Sequence, residues 1–334
     1  MRVRMGLLVG LLALIMAGCG SSATTNGSAA GKLNVVTTVA PITNIVYNIG
    51  GDRIALTGIV PEGVNSHTFE PVPSDAALLA RADLIIMNGL NLEEPTRKLA
   101  EANKQESAQI IMLGDQTITP AEYVYDFSFP REDGSPNPHL WTNPRYALRY
   151  AQLVHGVLVA RDPANREYYD ANLASYTARL EELDAAIART ITSIPPENRK
   201  LLTYHDSWAY FAPVYGMEVV GAIQPADFAE PSAREVAELI AQVREAKVPA
   251  IFGSEVFPSP VLERIGQEAG VKYVDSLRDD DLPGEPGEPR HSYVGLMVED
   301  VRIMAENLGG DPALIADFDP RNVPGVDGAV KQAQ

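Results

Sequence analysis

The chain has 334 residues, and its 44 acidic residues outnumber the 27 basic ones, giving a formal net charge of −17 at pH 7. A surface of this sign repels nucleic acid and anionic membranes and mildly attracts cations, so we expect no nucleic-acid partner. A chain of this length usually exceeds what one hydrophobic core supports, so we expect two domains.

The first residues have the pattern of a secretory signal. Arg2 and Arg4 precede an apolar run that extends from residue 6 to residue 16, and small residues follow it. This run is shorter than the roughly 20 apolar residues that a permanent membrane helix needs. We therefore predict a signal peptide at residues 1–18.

The only cysteine of the chain, Cys19, follows this predicted signal directly. The sequence Met-Ala-Gly-Cys at residues 16–19 resembles the bacterial lipobox, in which the cysteine is lipidated. Residues 20–31 are mainly small and polar, which is typical of a flexible tether. We predict a lipid-anchored tether at residues 19–31, which would hold an exported protein at the outer face of the cytoplasmic membrane. A plain signal peptide with an incidental cysteine is the alternative.

Short apolar runs alternate with helical patterns in both halves of the remaining chain. The predicted strands are residues 33–39, 54–60, 84–88 and 109–113 in the first half, and 200–204, 217–223, 249–253 and 271–274 in the second. The predicted helices between them are residues 41–50, 74–82 and 92–103, then 207–214, 232–246 and 260–269. Strands that alternate with helices indicate a parallel sheet in each half. The predicted class is α/β, with two lobes that each contain a four-stranded parallel sheet and flanking helices.

A long helix is predicted between the lobes. Tyr169, Tyr176 and Leu183 belong to an apolar series at helical spacing, and prolines stand at residue 163 and at residues 195 and 196. A single helix of this length is a stiff connector. We therefore place the first lobe at residues 32–162, a rigid linker helix at 163–195 and the second lobe at 196–334.

Three of the five histidines follow predicted strands. His67 lies in the loop after the second strand, His139 follows the last strand of the first lobe, and His205 directly follows the first strand of the second lobe. Ligands of open parallel sheets bind beyond the carboxyl ends of the strands, so we expect these side chains to meet between the lobes. A fourth ligand should end another strand of the second lobe. Asp275 fits this description, and Glu255 is the competing candidate.

Three imidazoles and one carboxylate suit zinc well and manganese or iron tolerably, because nitrogen donors favour the former. His155 lies within a predicted helix and is interpreted as a surface or interface residue, whereas His291 is a possible accessory ligand. The acidic loop at residues 279–289 is interpreted as solvated and disordered, with weak metal gathering as the alternative.

Several motifs together resemble the cluster A-I (cluster 9) solute-binding proteins that serve zinc and manganese ABC importers. The matching segments are residues 67–71, 73–75, 82–84, 88–89, 138–141, 162–163, 275–276 and 292–293. The resemblance covers essentially the whole chain after the signal. It implies a metal ion held between two rigid lobes by the positions of His67, His139, His205 and Asp275, and a membrane permease of an ABC importer as partner. We expect a monomer.

The chain departs from the pattern of this family at two positions. Ser66 stands where an aspartate commonly precedes the first histidine, and the first lobe lacks the histidine-rich insertion of some zinc-specific members. Manganese members often have a glutamate at the position of His205, so the histidine favours Zn²⁺ as the transported ligand. Mn²⁺ is the alternative, because members with three histidines and one aspartate that accept manganese also exist.

Two other classes of protein fit these residues less well. A zinc hydrolase needs an open coordination position and a general base, whereas four protein ligands close the coordination sphere. Some members of the family are labelled surface adhesins. This sequence contains no adhesive repeat, so we expect adhesion to be secondary at best. We therefore predict a binding protein and not an enzyme.

Overall fold

Two parallel sheets form the frame of the protein in a computed structural model, which describes residues 31–126, 128–222, 232–256, 260–323 and the backbone of 331–332. The predicted signal peptide, Cys19 and nearly all of the tether lie outside these residues. Among the described residues, no helix combines the length and hydropathy that a membrane crossing requires.

The first lobe alternates strands and helices as the sequence predicts. Its strands are β1 (Leu33–Thr37), β2 (Ile54–Gly58), β3 (Leu84–Met87) and β4 (Gln109–Met112). Its helices are α1 (Ala40–Gly50), α2 (Pro73–Leu79), α3 (Glu94–Asn103) and the short α4 (Leu113–Thr117), followed by α5 (Pro144–Arg161). Strand β3 is buried along its whole length, as its continuous apolar sequence indicates.

The second lobe repeats this plan with little repetition of sequence. Its strands are β5 (Lys200–Thr203), β6 (Glu218–Ala222), β7 (Ala250–Ser254) and β8 (Lys272–Leu277). Its helices are α7 (Ala212–Tyr215), α8 (Ala233–Ala246), α9 (Pro260–Ala269), α10 (Tyr293–Leu308) and α11 (Ala313–Ala316). The helix predicted over residues 207–214 is wrong for most of its length, and α10 was not predicted.

The strand order is the same in both lobes. In the first sheet it is β4-β3-β1-β2, and in the second it is β8-β7-β5-β6, with all pairs parallel. The prediction of two four-stranded parallel sheets is confirmed. The chain then returns to the first lobe, where a two-residue strand, β9 (Lys331–Gln332), pairs with β2. Residues assigned from sequence to the second lobe thus extend the first sheet.

The predicted linker helix is present as α6 (Arg166–Ser193), preceded by a 3-10 turn. Its buried residues recur at helical spacing, and Tyr169, Leu183 and Ile187 have no solvent exposure. These side chains belong to a buried apolar cluster that also contains residues of both sheets, including Val35 and Phe252. The linker is therefore packed into a core that the two lobes share.

Candidate metal site

Three histidine side chains from three separate loops converge between the sheets. The Nε2 atoms of His67 and His139 are 3.0 Å apart, and those of His139 and His205 are 3.2 Å apart. The ligand atoms of all three lie within 4.8 Å of one another. His139 and His205 are buried, whereas His67 is partly exposed. The structure thus brings together the three histidines singled out from the sequence.

A carboxylate completes this group. Oδ2 of Asp279 lies 2.8 Å from Nε2 of His205 and 3.9 Å from Nε2 of His139. Ligand atoms bound tetrahedrally to zinc at 2.0–2.1 Å are about 3.3 Å apart. The separations of 3.0 and 3.2 Å between the histidine nitrogens are close to this value, and Asp279 lies beside two of these three nitrogens. Three imidazole nitrogens and one carboxylate oxygen are thus available to hold a metal ion.

The position of this carboxylate corrects the expectation for Asp275. The sequence pattern predicts that the last strand ends at residue 274, but β8 continues to Leu277. Asp275 is consequently an exposed residue inside the strand, and it is Asp279 that lies beyond the carboxyl end of β8. Asp279 follows the rule that ligands lie beyond the carboxyl ends of parallel strands. The predicted end of β8 was three residues too early. The signal available in the sequence was Leu277, an apolar residue that extends the strand pattern.

The two alternative ligands have other partners. Oε1 of Glu255 accepts hydrogen bonds from three backbone N–H groups, those of Asp279, Asp280 and Asp281. His291 pairs with Glu62 at 3.1 Å. The interpretation of the acidic loop as solvated is wrong for its first two residues, since Asp279 and Asp280 are 2% and 3% exposed.

Asn137 orients the ring of His139. Its Oδ1 lies 2.9 Å from Nδ1 of His139 and also accepts the backbone N–H of that residue, while its Nδ2 donates to Asp126 and to the carbonyl oxygen of Asp206. Because Oδ1 is an acceptor, Nδ1 of His139 carries the proton, and the lone pair of Nε2 faces the other two histidines. Such an outer partner fixes the tautomer that a metal ligand needs.

The electrostatics differ among the three histidines. Burial and the nearby His205 lower the pKa of His67 to about 3, and burial likewise lowers the pKa of His139 well below its ordinary value. Burial also opposes a charge on His205, but the attraction of Asp279 and their hydrogen bond outweigh it and raise the pKa of His205. The same attraction outweighs burial at Asp279 and lowers the pKa of its carboxyl group.

Hydrogen bonds between the lobes surround the cluster. Nε1 of Trp141 donates to the carbonyl oxygen of Asp279 at 2.8 Å, and the hydroxyl of Tyr293 donates to the carbonyl oxygen of Trp141 at 2.7 Å. The side-chain amide of Asn143 donates to the carbonyl oxygen of Tyr210 at 2.9 Å. These bonds join segments of the first lobe to segments of the second beside the site.

One side of the cluster adjoins a cavity. This cavity of about 190 Å³ is lined by His67 together with Phe129, Leu90 and Pro138. Among the four clustered groups, His67 is the partly exposed one, so the cavity approaches the site from the side of this histidine.

Comparison with known proteins matches most of the chain. Residues 35–307 match the family described as ZnuA, zinc-uptake complex component A, periplasmic. The manganese ABC transporter substrate-binding lipoprotein PsaA of Streptococcus pneumoniae is 31% identical over 307 residues, which cover 90% of this chain and 95% of the relative. The iron-binding protein YfeA of Yersinia pestis is 31% identical over 279 residues, which cover 83% of this chain and 87% of the relative.

A solved structure has the same fold. The periplasmic zinc-binding protein TroA from Treponema pallidum superimposes with a TM-score of 0.76 at 28% identity, covering 83% of this chain and 99% of that chain. PsaA is named a substrate-binding protein of an ABC transporter, and YfeA and TroA are named metal-binding proteins; none of the three is named an enzyme. The family match over residues 35–307 and the 31% identity to PsaA together show that the chain belongs to the zinc-uptake complex component A (ZnuA) family.

Proposed function

We propose that the protein is the substrate-binding component of a metal ABC importer and that it carries Zn²⁺ on His67, His139, His205 and Asp279. The observation that carries this proposal is the convergence of three Nε2 atoms and one carboxylate oxygen between two lobes. The names of the relatives support the class of protein, since they are substrate-binding or metal-binding proteins.

The donor set supports zinc as the transported ion. The names of the relatives divide among manganese, iron and zinc and do not decide among them. Three imidazole nitrogens and a single carboxylate form a set that suits Zn²⁺, whereas Mn²⁺ prefers more oxygen donors. Manganese or iron at the same four side chains is the alternative.

Titration of metal-stripped protein with zinc and with manganese tests this proposal. We expect tighter binding of zinc, and we expect His67→Ala and His205→Ala each to reduce zinc affinity strongly, because each loses one bond to the ion. His155→Ala is the matched control, since His155 lies on α5 and pairs with Asp170 of α6. Unchanged zinc affinity in both site variants would mean that the ion binds elsewhere, and tighter manganese binding would overturn the choice of zinc.

The proposal includes lipid anchoring and delivery to a permease. Cys19 lies outside the described residues, so lipid anchoring at this cysteine is supported by the lipobox-like sequence that follows the signal pattern. Cys19→Ala should move the protein from the membrane fraction to the soluble fraction of its host. If the variant stays with the membranes, the anchor is not at this cysteine. We further propose that the protein acts as a monomer, which its mass in solution would test.

A further inference from the structure

One carboxylate oxygen organises the turn that carries Asp279. Oε1 of Glu255 lies 3.0, 3.1 and 3.0 Å from the backbone nitrogens of Asp279, Asp280 and Asp281. Glu255 follows β7, and the turn follows the neighbouring strand β8. Three successive N–H groups directed at one oxygen leave the turn little conformational freedom.

The three aspartates of this turn point to different partners. Asp279 faces His205, with 2.8 Å between Oδ2 and Nε2. Asp280 accepts hydrogen bonds from the backbone N–H and the hydroxyl of Ser66, both at 2.9 Å. Asp281 accepts a hydrogen bond from the backbone N–H of Gly63 at 2.7 Å. A single turn thus directs one carboxylate to the histidines and two to another loop.

The loop held by Asp280 and Asp281 is the loop that carries His67. Ser66 precedes His67 directly, and it belongs to the first lobe, whereas the turn belongs to the second. The position of His67 relative to His205 therefore depends on the conformation of this turn, and so does the position of Asp279. Three peptide N–H groups of this turn bond to Glu255, and the carbonyl oxygen of Asp279 accepts the indole N–H of Trp141.

We propose that Glu255 is a positioning residue of the metal site and not a ligand. It holds the Asp279–Asp281 turn in the shape that directs Asp279 to the ion and keeps the loop bearing His67 in place. This inference rests on the proposed function, since it concerns the affinity of the same site.

Two variants of Glu255 separate this role from that of a ligand. Glu255→Ala removes the common acceptor, and zinc affinity should fall about 10- to 100-fold, as is typical when an outer partner of a metal site is lost. Glu255→Gln keeps an amide oxygen in the place of Oε1 and should restore affinity to within about tenfold of the wild-type value. The control is Glu235→Ala, which also removes a glutamate that accepts a backbone N–H in the second lobe, at the start of α8.

Visible absorption of Co²⁺ bound to the full chain provides a second measurement, because its bands depend on the number and type of ligands. In Glu255→Ala the spectrum should change toward that of Asp279→Ala, since Asp279 loses its orientation. In Glu255→Gln the spectrum should stay like that of the wild type. Thermal unfolding of the metal-free variants shows whether each remains folded.

Wild-type affinity and spectrum in Glu255→Ala would overturn the inference while leaving the proposed function intact. Equal losses in the alanine and glutamine variants would also overturn it, because a charged ligand would then be the better account. A wild-type protein that binds neither zinc nor cobalt would instead refute the proposed function.

Discussion

Oδ2 of Asp279 lies 2.8 Å from Nε2 of His205, whereas its distance from Nε2 of His139 is 3.9 Å. The carboxylate therefore favours a proton on His205 and raises the pKa of this imidazole, although burial opposes the charge. Burial keeps His67 and His139 neutral, with the pKa of His67 lowered to about 3. Of the three imidazoles, His205 therefore keeps its proton to the highest pH, and below its raised pKa it has a proton to lose when metal binds.

The first prediction concerns this proton. Metal competes with the proton on His205, so zinc affinity should fall as the pH decreases below the raised pKa of His205, by about tenfold for each pH unit. Above that pKa the imidazole is already neutral, and the affinity should level off. Calorimetric titrations in buffers with different ionisation enthalpies should show the release of about one proton per ion in the acidic range.

Asp279→Asn is the control for this prediction. Without this carboxylate, burial is opposed only by the weaker attraction of Asp280 and Asp206, so the pH below which the affinity falls should move to a lower value. Release of two or three protons per ion would contradict the prediction, because groups other than His205 would then lose protons when metal binds.

Much of the frame follows from the sequence because alternating strands and helices leave few topologies. The apolar runs at β1 to β8 are visible in the sequence, and parallel strands carry their carboxyl ends to one edge. Three loops at such edges brought His67, His139 and His205 together. The length of α6 was also predictable, since buried residues recur at helical spacing up to a pair of prolines.

The acidic turn was not predictable in the same way. Asp275 follows Val274 directly, and Asp279 lies two residues after Leu277, so only the actual end of β8 decides which of them reaches the histidines. The run Asp279–Asp281 has the composition of a solvated loop, yet it is held by Glu255, which is distant along the chain. Composition gives no information on such a long-range partner.

The second prediction separates the two aspartates. Asp279→Ala should lower zinc affinity strongly, because it removes a carboxylate that lies among the histidine nitrogens. Asp275→Ala should leave the affinity within about twofold, since surface substitutions change free energies by about 0.5 kcal/mol or less. Competition titrations against a zinc-sensitive dye measure both. A greater loss in the Asp275 variant would restore the original assignment.

The third prediction is that the lobes move little when metal binds. The helix α6 contributes to a core shared by both lobes, and the hydrogen bonds of Trp141 and Tyr293 cross between them. A hinge motion would have to break these bonds and expose buried apolar surface. Small-angle scattering curves with and without zinc should nearly superimpose, and a clear decrease in the radius of gyration on loading would refute this.

The fourth prediction concerns Asn137, whose Oδ1 accepts a hydrogen bond from the Nδ1–H group of His139. Asn137→Ala removes the group that selects the tautomer with its lone pair on Nε2, so zinc affinity should fall about 10- to 100-fold. The variant also leaves the carbonyl oxygen of Asp206 without this donor, so its stability must be measured separately. Asn143→Ala is the matched control, since that asparagine also bonds across the lobes, to the carbonyl oxygen of Tyr210, but has no bond to a histidine ring. Calorimetric titration with zinc should show a loss of affinity in Asn137→Ala but not in Asn143→Ala. If Asn143→Ala loses as much, packing between the lobes, and not the tautomer of His139, controls the affinity.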